Sequence, residues 1–409
     1  MTLQLKEIEA AVFLDFAKRQ ANFNYLQTPE MKAFREERGA KGYYLGLFEN
    51  DSLTLASLVF LLPIRFGQKL EITGGPVGLD TRPEVLTAFF TQLKDFARKQ
   101  QVIYAEIEPN WTYQILDDSG QPTSTPDTVL LSNLTAAGLH HLGFYKDYPY
   151  GTPRYWYVKD LSNLTEADLV SSYAKEAQYS YKKAGKFGIQ VRRLAYDELA
   201  QFKELTEAAA EYHDFEDKNL AYYQQFYRNF GEKADFLVAE IDFDAYKKEL
   251  QSEIDSLQSE IDALQSEIDK TDSAKKKKQR AKLAQQQEAH QKRLEEASDF
   301  SGTALLSGGL FIYNPRETVY LFSGTLDNYR KFYSPYLIQT EIMRRSLARG
   351  ITRYNFLGIS GHFDGTDGVL RFKTGFRGYV EEKIGRFTLT INPAKYAFTR
   401  FLKTLLRRG

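Results

Sequence analysis

Cations interleaved with phenol rings are the first residues whose types and spacing suit a chemical task. Lys175, Lys182, Lys183, Lys186, Arg192 and Arg193 alternate with Tyr173, Tyr179 and Tyr181. Such a patch fits the phosphates of an RNA, each contact adding salt-dependent affinity; a solvated helix face accounts for the same lysines. The chain offers little for other chemistries. It has no cysteine, which removes disulfides, thiol catalysis and thiolate metal sites together, and only five histidines in 409 residues. Reactions must therefore run on Lys, Arg, Asp, Glu, Tyr and backbone groups, and no metal is expected. Lys+Arg 54 balance Asp+Glu 54, so any polyanion is bound by one region, not by the whole surface. An Arg/Gln-x-x-Gly-x-Gly/Ala loop, which would bring a pyrophosphate to a helix N-terminus, is absent, so coenzyme A is not expected and no cofactor is.

These residues need elements to hold them. At 43% hydrophobic and 14% aromatic the chain has ample material for a core, and its length predicts two or three domains. Leu250, Ile254, Leu257, Ile261, Leu264 and Ile268 recur at spacings of four and three, with Gln-Ser-Glu-Ile-Asp repeated in register from Gln251, Gln258 and Gln265. That pattern predicts a coiled-coil helix. After an interruption at Thr271–Ala274, a Lys/Gln/Ala-rich helix with a thinner stripe (Ala281, Ala284, Leu294, Ala297) is expected to fold back antiparallel. The cations Lys275 to Lys278 near the tip read equally as a solvated helix start and as an RNA or membrane contact.

The arm is expected between two strands, Asp235–Ile241 and Ala304–Tyr313. The first half has the same layout with a short turn instead: Tyr43–Phe48, Glu49–Ser52, then Leu53–Leu62. A glycine turn (Thr73–Pro76; Phe322–Thr325), a helix (85–99; 336–349) and a strand (102–107; 352–357) follow in both halves. This internal duplication predicts an α+β fold of two lobes analogous to GNAT-type (acyl-CoA N-acyltransferase-like) modules. The expected boundaries are 1–150 for the first lobe, 151–243 and 300–395 for the second, 244–299 for the arm and 396–409 for a C-terminal basic helix. The N-terminus shows no leader pattern and no apolar run reaches a membrane span's length, so a cytoplasmic protein is expected. Phe398, Phe401, Leu402, Leu405 and Leu406, with Arg400, Lys403, Arg407 and Arg408, read as an amphipathic basic helix, either packed on the core or lying peripherally on the inner membrane face.

The run Arg353-Tyr354-Asn355-Phe356-Leu357-Gly358-Ile359-Ser360-Gly361-His362-Phe363, followed by Gly368-Val369-Leu370-Arg371-Phe372-Lys373-Thr374-Gly375-Phe376, resembles the FemABX family of peptidoglycan aminoacyltransferases. Gln27-Thr28, Gly75-Pro76, Tyr104–Pro109 with Tyr113-Gln114, Tyr181–Val191 and Tyr313-Asn314-Pro315 extend the resemblance over essentially the whole chain. The similarity is greatest to the FemA and streptococcal MurM/MurN branch, whose members carry an inserted two-helix arm. Gly74 departs from the pattern, standing where the family commonly places Arg.

The resemblance implies transfer of an amino acid from aminoacyl-tRNA to the stem or bridge peptide of a peptidoglycan precursor, lipid-linked or in its cytoplasmic nucleotide form. A small amino acid (Ala, Ser or Gly) is implied. A neutral amine attacks an activated ester, and the protein must position both and stabilise the oxyanion and departing ribose oxygen. Lys373 matches the family's Phe-Lys pair and is the candidate for that charge, with Phe372 positioning it; an exposed strand lysine is the alternative. Glu108 matches a position that is usually Asp and is the candidate proton acceptor, against a carboxylate capping a turn. Arg35 and Lys218 align with cations that hold the precursor's phosphates, with a local ion pair in Glu216-Asp217-Lys218 as the competing reading. Lys182, Lys183 and Lys186 are the candidate tRNA contacts. Two further functions fit: altering the bridge so as to resist a cell-wall hydrolase, and non-catalytic RNA binding or assembly through the arm.

Overall fold

The computed structural model describes residues 2–213 and 216–406. Its strands are β1 (Leu3–Glu7), β2 (Lys41–Glu49), β3 (Ser52–Ile64), β4 (Gly67–Thr73), β5 (Val102–Glu108), β6 (Thr112–Leu116), β7 (His140–His141), β8 (Tyr155–Asp160), β9 (Gln190–Arg193), β10 (Ala234–Asp242), β11 (Thr303–Tyr313), β12 (Thr318–Thr325), β13 (Arg353–Ile359), β14 (Tyr379–Lys383) and β15 (Phe387–Thr390). The helices are α1 (Ala10–Ala17), α2 (Pro29–Glu37), α3 (Pro83–Lys99), α4 (Thr128–Ala136), α5 (Lys175–Ala184), α6 (Leu199–His213), α7 (Leu220–Phe230), α8 (Phe243–Thr271), α9 (Ala274–Glu296), α10 (Ser334–Ala348), α11 (Gly368–Thr374) and α12 (Pro393–Leu406). Arg407 and Arg408 lie outside the described residues, as do the side chains of Arg400, Leu402, Lys403, Leu405 and Leu406.

The fold is α+β, with two mixed sheets ordered β1-β2-β3-β4-β5-β15-β7 and β6-β14-β8-β13-β12-β11-β10-β9. Each contains the same unit. In the first, β2, β3 and β4 are antiparallel and α3 leads to β5, which pairs parallel with β4. In the second, β10, β11 and β12 are antiparallel and α10 leads to β13, parallel to β12. A parallel pair needs such a crossover, which is why a helix separates those strands in both halves. Leu86, Phe89, Phe90 and Leu93 of α3 are buried against Leu45, Val59, Leu70 and Ile107 of the first sheet. Ile338, Ile342 and Met343 of α10 do the same for the second.

Two expectations need correction. The boundary at 150 does not follow the sheets, because β6 crosses to pair with β14 in the second and β15 returns to pair with β5 in the first. Alternation along a strand reports which face is buried and not which sheet it joins. Residues Phe322–Thr325 are strand, not a glycine turn. Gly324 is needed there because a Cβ would overlap the Leu205 backbone of α6.

Asp242 of β10 pairs with Thr303 of β11, so α8 and α9 occupy the place of a hairpin turn. Asp242 caps α8 by accepting from the amides of Asp244 and Ala245. The helices are antiparallel. Gln287 donates to Gln258 at 2.8 Å, His290 lies 2.9 Å from Glu253 and Lys276 2.9 Å from Glu267. Leu250, Ile254, Leu257, Ile261 and Ile268 are buried along α8, whereas Ala281 of the expected α9 stripe is exposed and Leu283 is half-buried instead. The base of the arm is part of the lobe: Phe243, Tyr246, Leu250 and Ala297 pack with Phe187, Leu306 and Phe332.

Candidate active site

Gln27 and Thr28 set the position of the first candidate cation. The Gln27 amide donates to the carbonyls of Leu58 and Thr73 and accepts from the Leu58 amide, tying the loop to β3 and β4. Thr28 accepts from the Met31 amide and Pro29 follows at the first helical position, which starts α2. Arg35, on the last turn of α2, lies 4.2 Å from the Phe60 ring and pairs with Glu71 of β4. Glu71 also holds Lys69 at 2.5 Å, Lys69 lies 3.2 Å from Glu106, and Glu106 lies 2.9 Å from Arg386.

Lys218 is exposed and its ammonium stands 5.9 Å from the Tyr222 ring. The competing local ion pair does not form: Asp217 instead binds Lys203, Thr206 and Tyr223. Arg38 lies over the same Tyr222 ring at 5.1 Å, and Arg35 is close enough to oppose the burial that pushes the Tyr222 phenol up to about 12. Lys218 and Arg38, far apart in sequence, thus meet at the Tyr222 ring, and Arg35 is near enough for its charge to act on that phenol.

The parallel strands β4 and β5 end side by side, Thr73 opposite Glu108. A narrow cleft of about 20 Å³ lies at this edge, lined by Thr73, Gly74, Glu108, Tyr145, Pro153 and Lys383. Burial pushes the Glu108 carboxyl above the ordinary glutamate range; the Thr152 hydroxyl and Arg386 pull against it without cancelling it. Burial also drives the Tyr145 phenol up to about 12, with the Glu108 charge adding to the shift. Asn110 Oδ1, at the same edge, is buried without a protein hydrogen-bond partner. Gly74 admits no side chain, since at φ +76° a Cβ would run into the Asn24 amide that donates to the Gly74 carbonyl.

Lys383 lines the same cleft, and its Nζ lies 2.6 Å from Glu381 and 4.2 Å from the Trp156 ring centre. Arg353 holds Glu381 at 2.7 Å and Glu317 at 3.0 Å. Burial alone would raise the Glu381 carboxyl, but Lys383 and Arg353 outweigh it and hold the group far below the usual range. Lys383, Glu381, Arg353 and Glu317 thus form a chain of alternating cations and carboxylates, of which Lys383 reaches the cleft.

Lys373 is buried and helical, not an exposed strand residue. Asp367 caps α11 through the amides of Val369 and Leu370 and also accepts from the Ser360 amide and hydroxyl, which ties the helix to the end of β13. Lys373 Nζ donates to the Gly358 carbonyl at 2.5 Å. Burial lowers its pKa to about 7, with Asp367 opposing the shift. A lysine so tuned exchanges a proton near neutral pH. Gly358 lies tightly against Pro153, which lines the Glu108 cleft. Phe372 packs on Tyr336 and Phe376, each 5.3 Å away, and so anchors α11 to α10.

The basic cluster divides. Arg192 is paired with Glu240 and Glu198, Arg193 with Glu232 and Asp235, and Tyr173 is fully buried. Lys182 and Lys186 are exposed, while Lys183 stands 5.1 Å from the Tyr333 ring. The helix that carries Lys182 and Lys183, α5, is fastened to α11, with the Ala174 amide donating to the Gly375 carbonyl at 2.9 Å, and Lys186 lies in the turn that follows it.

Tyr25, Tyr222, Arg386 and Lys383 were not singled out from sequence. Tyr25 is buried, and its phenol is pushed well up by burial and then by the charges of Tyr222, Glu317 and Glu108. The nearby Gln27-Thr28 motif was its only signal. Among the described residues, no three His, Asp or Glu side chains gather as a metal site.

The fold, two mixed sheets that each take in a strand from the other half of the chain, is similar to that of FemX: the crystal structure aligns at a TM-score of 0.77 over 97% of this chain and 99% of that one, with 20% identity. A model of the FemAB family matches residues 8–404, and the chain belongs to that family. It is 30% identical to aminoacyltransferase FemA of Staphylococcus epidermidis over 415 residues, and 30% identical to that of Staphylococcus aureus over 418. These alignments cover 98% and 99% of this chain and all of each relative. The chain is accordingly an acyltransferase enzyme.

Proposed function

We propose that the enzyme transfers a small amino acid (Ala, Ser or Gly) from aminoacyl-tRNA to the stem or bridge peptide of a lipid-linked peptidoglycan precursor, building the interpeptide bridge. The observation that carries this reading is that Glu108, a carboxyl raised by burial, lines the cleft together with Pro153, while Lys373, an amine lowered to about 7, is bonded to the carbonyl of Gly358, which packs against that same proline. The acceptor ammonium loses one proton to Glu108, the free amine attacks the ester carbonyl, and Lys373 stabilises the oxyanion, gives a proton to the departing ribose oxygen as the C–O bond breaks, and is reprotonated by the proton that the attacking nitrogen sheds on becoming an amide. Arg35 and Lys218 hold the precursor's diphosphate beside Tyr222. Lys182, Lys183 and Lys186 meet the acceptor stem.

The repeated strand–helix units are read as GNAT-like lobes, and the heptads of α8 against α9 as a coiled-coil arm. No described helix is long and apolar enough to cross a membrane, and the acceptor would be met at the membrane face. The test is to incubate the protein with a mixture of charged tRNAs and lipid-linked precursor and weigh the product. A mass increment of one small aminoacyl residue, abolished by ribonuclease, is expected; no increment from any charged tRNA overturns the reading.

A further inference from the structure

We propose that the tip of the β3–β4 hairpin and the outer face of α12 form a wedge that inserts into an anionic phospholipid surface. Four phenylalanines are exposed among the described residues, and three of them share this place: Phe66 (48% exposed), Phe398 (51%) and Phe401 (61%). The Phe66 and Phe398 rings touch edge to face with centres 5.5 Å apart. Phe66 holds a φ of +76°, costly for a bulky side chain and maintained here while its ring stays in solvent.

The helix is fixed by its other side. Tyr396 packs on Tyr104 of β5, ring centres 5.2 Å apart, and at about 100° per residue Phe398 and Phe401 stand roughly 200° and 140° round the helix from it. They point away from the sheet. Arg65 and Lys395 flank the rings and are exposed, and from Lys395 to the last residue the sequence carries Lys395, Arg400, Lys403, Arg407 and Arg408 with no Asp or Glu. Rings without a polar handle gain by entering acyl chains, and cations beside them gain from anionic headgroups; the combination favours a lipid surface over RNA, which would use either feature differently.

The placement also suits the proposed acceptor, and to that extent the inference rests on the function proposed above. Along β4 the order is the Phe66 tip, then Glu71 with its partner Arg35, then Thr73 and Gly74 at the cleft. At about 3.3 Å per residue, Phe66 and Gly74 stand roughly 26 Å apart. A precursor rooted in the bilayer would pass its phosphates near Arg35 and present its peptide at Glu108.

The test is flotation of the full chain with phosphatidylglycerol vesicles and, separately, with phosphatidylcholine vesicles, for wild type and for the combined variant Phe66→Ser, Phe398→Ser, Phe401→Ser. Wild type is expected to float with the anionic vesicles, and the variant at least tenfold less at an unchanged melting temperature. A Phe398→Trp single variant, folded like wild type, is expected to shift its emission to the blue on those vesicles alone. Equal flotation of wild type and triple variant overturns the proposal, as does wild type that stays in solution with both vesicles. A dimer that the triple substitution dissolves, without vesicle binding, overturns it in favour of a second copy of the chain; loss of tRNA affinity without vesicle binding overturns it in favour of RNA. Flotation is read without any transfer, so a protein that floats but adds no amino acid to the precursor refutes the function and leaves the wedge standing.

Discussion

Lys373 Nζ donates to the Gly358 carbonyl oxygen at 2.5 Å, and that single bond ties the α11 amine to the wall of the Glu108 cleft. The carbonyl is neutral, so the ammonium there gains no opposing charge at contact distance. Burial therefore dominates and brings the pKa to about 7 from 10.5.

Replacing Lys373 with Met is expected to lower transfer by roughly two orders of magnitude, the scale of losing one oxyanion-stabilising group. The folded pKa lies below the unfolded one, so between about 7 and 10.5 the unfolded chain binds a proton that the folded chain does not. The lysine therefore destabilises the fold fully below about pH 7, and progressively less as pH rises to 10.5. Lys373→Met should melt at or above the wild-type temperature at pH 6, with the gap closing toward pH 10. Loss of activity matched by loss of thermal stability would leave Lys373 a packing residue.

Glu108→Gln should reduce transfer by about 10²-fold or more, as for other general bases. Because burial raises the Glu108 pKa, the acid limb of the wild-type rate profile should fall at a higher pH than an ordinary glutamate would give. The charged form is the disfavoured one, so Gln should stabilise the fold at neutral pH and lose that advantage in acid. A Gln variant with the wild-type acid limb would assign the proton transfer to another group.

Changing Lys182, Lys183 and Lys186 together to Gln should weaken tRNA binding and flatten its salt dependence, since fewer counterions are released. Precursor binding should change little. Arg35→Gln with Lys218→Gln should give the reverse pattern, measured by titration of each substrate at several salt concentrations. A wild-type salt slope in the triple variant would mark α5 and the turn after it as a solvated face.

Two arm deletions should behave differently. Excising residues 251–293 and joining the ends with a short turn keeps Tyr246, Leu250 and Ala297 in their cluster, and should melt within a few degrees of wild type. Removing 244–298 exposes that cluster and should cost several kcal/mol, at about 1.5–3 kcal/mol for each large side chain lost from the core. Equal melting temperatures would show that the base of the arm supports nothing.

Gly324→Ala should destabilise by about 1–3 kcal/mol or more, because the added methyl overlaps the Leu205 backbone and neither β12 nor α6 can withdraw freely. Denaturant melts check this; a neutral substitution would mean that the sheet yields at β12.

Local signals carried much of the architecture. The heptad spacing of Leu250 to Ile268 and the break at Thr271–Ala274 correspond to α8, α9 and the Asp272 connection, because periodicity and breakers act over a few residues. The repeated hairpin–helix–strand order was legible for the same reason. The crossing of β6 and β15 was not: it is set by edge pairings over 200 residues apart, which no local pattern encodes.

The candidate site divides along the same line. By itself the sequence determined which side chains could act, since a chain without cysteine and with five histidines leaves lysine, arginine and carboxylates. It also marked Lys373, Glu108, Arg35 and Lys218 through the motifs around them. Tertiary structure alone decided their states. Burial lowers Lys373 and raises Glu108, ion pairs withdraw Arg192 and Arg193 from the basic cluster, and Tyr222 brings Lys218 to Arg38 of α2. Desolvation and Coulomb energy depend on what stands within a few ångströms in space, and the neighbours that count here come from distant parts of the chain.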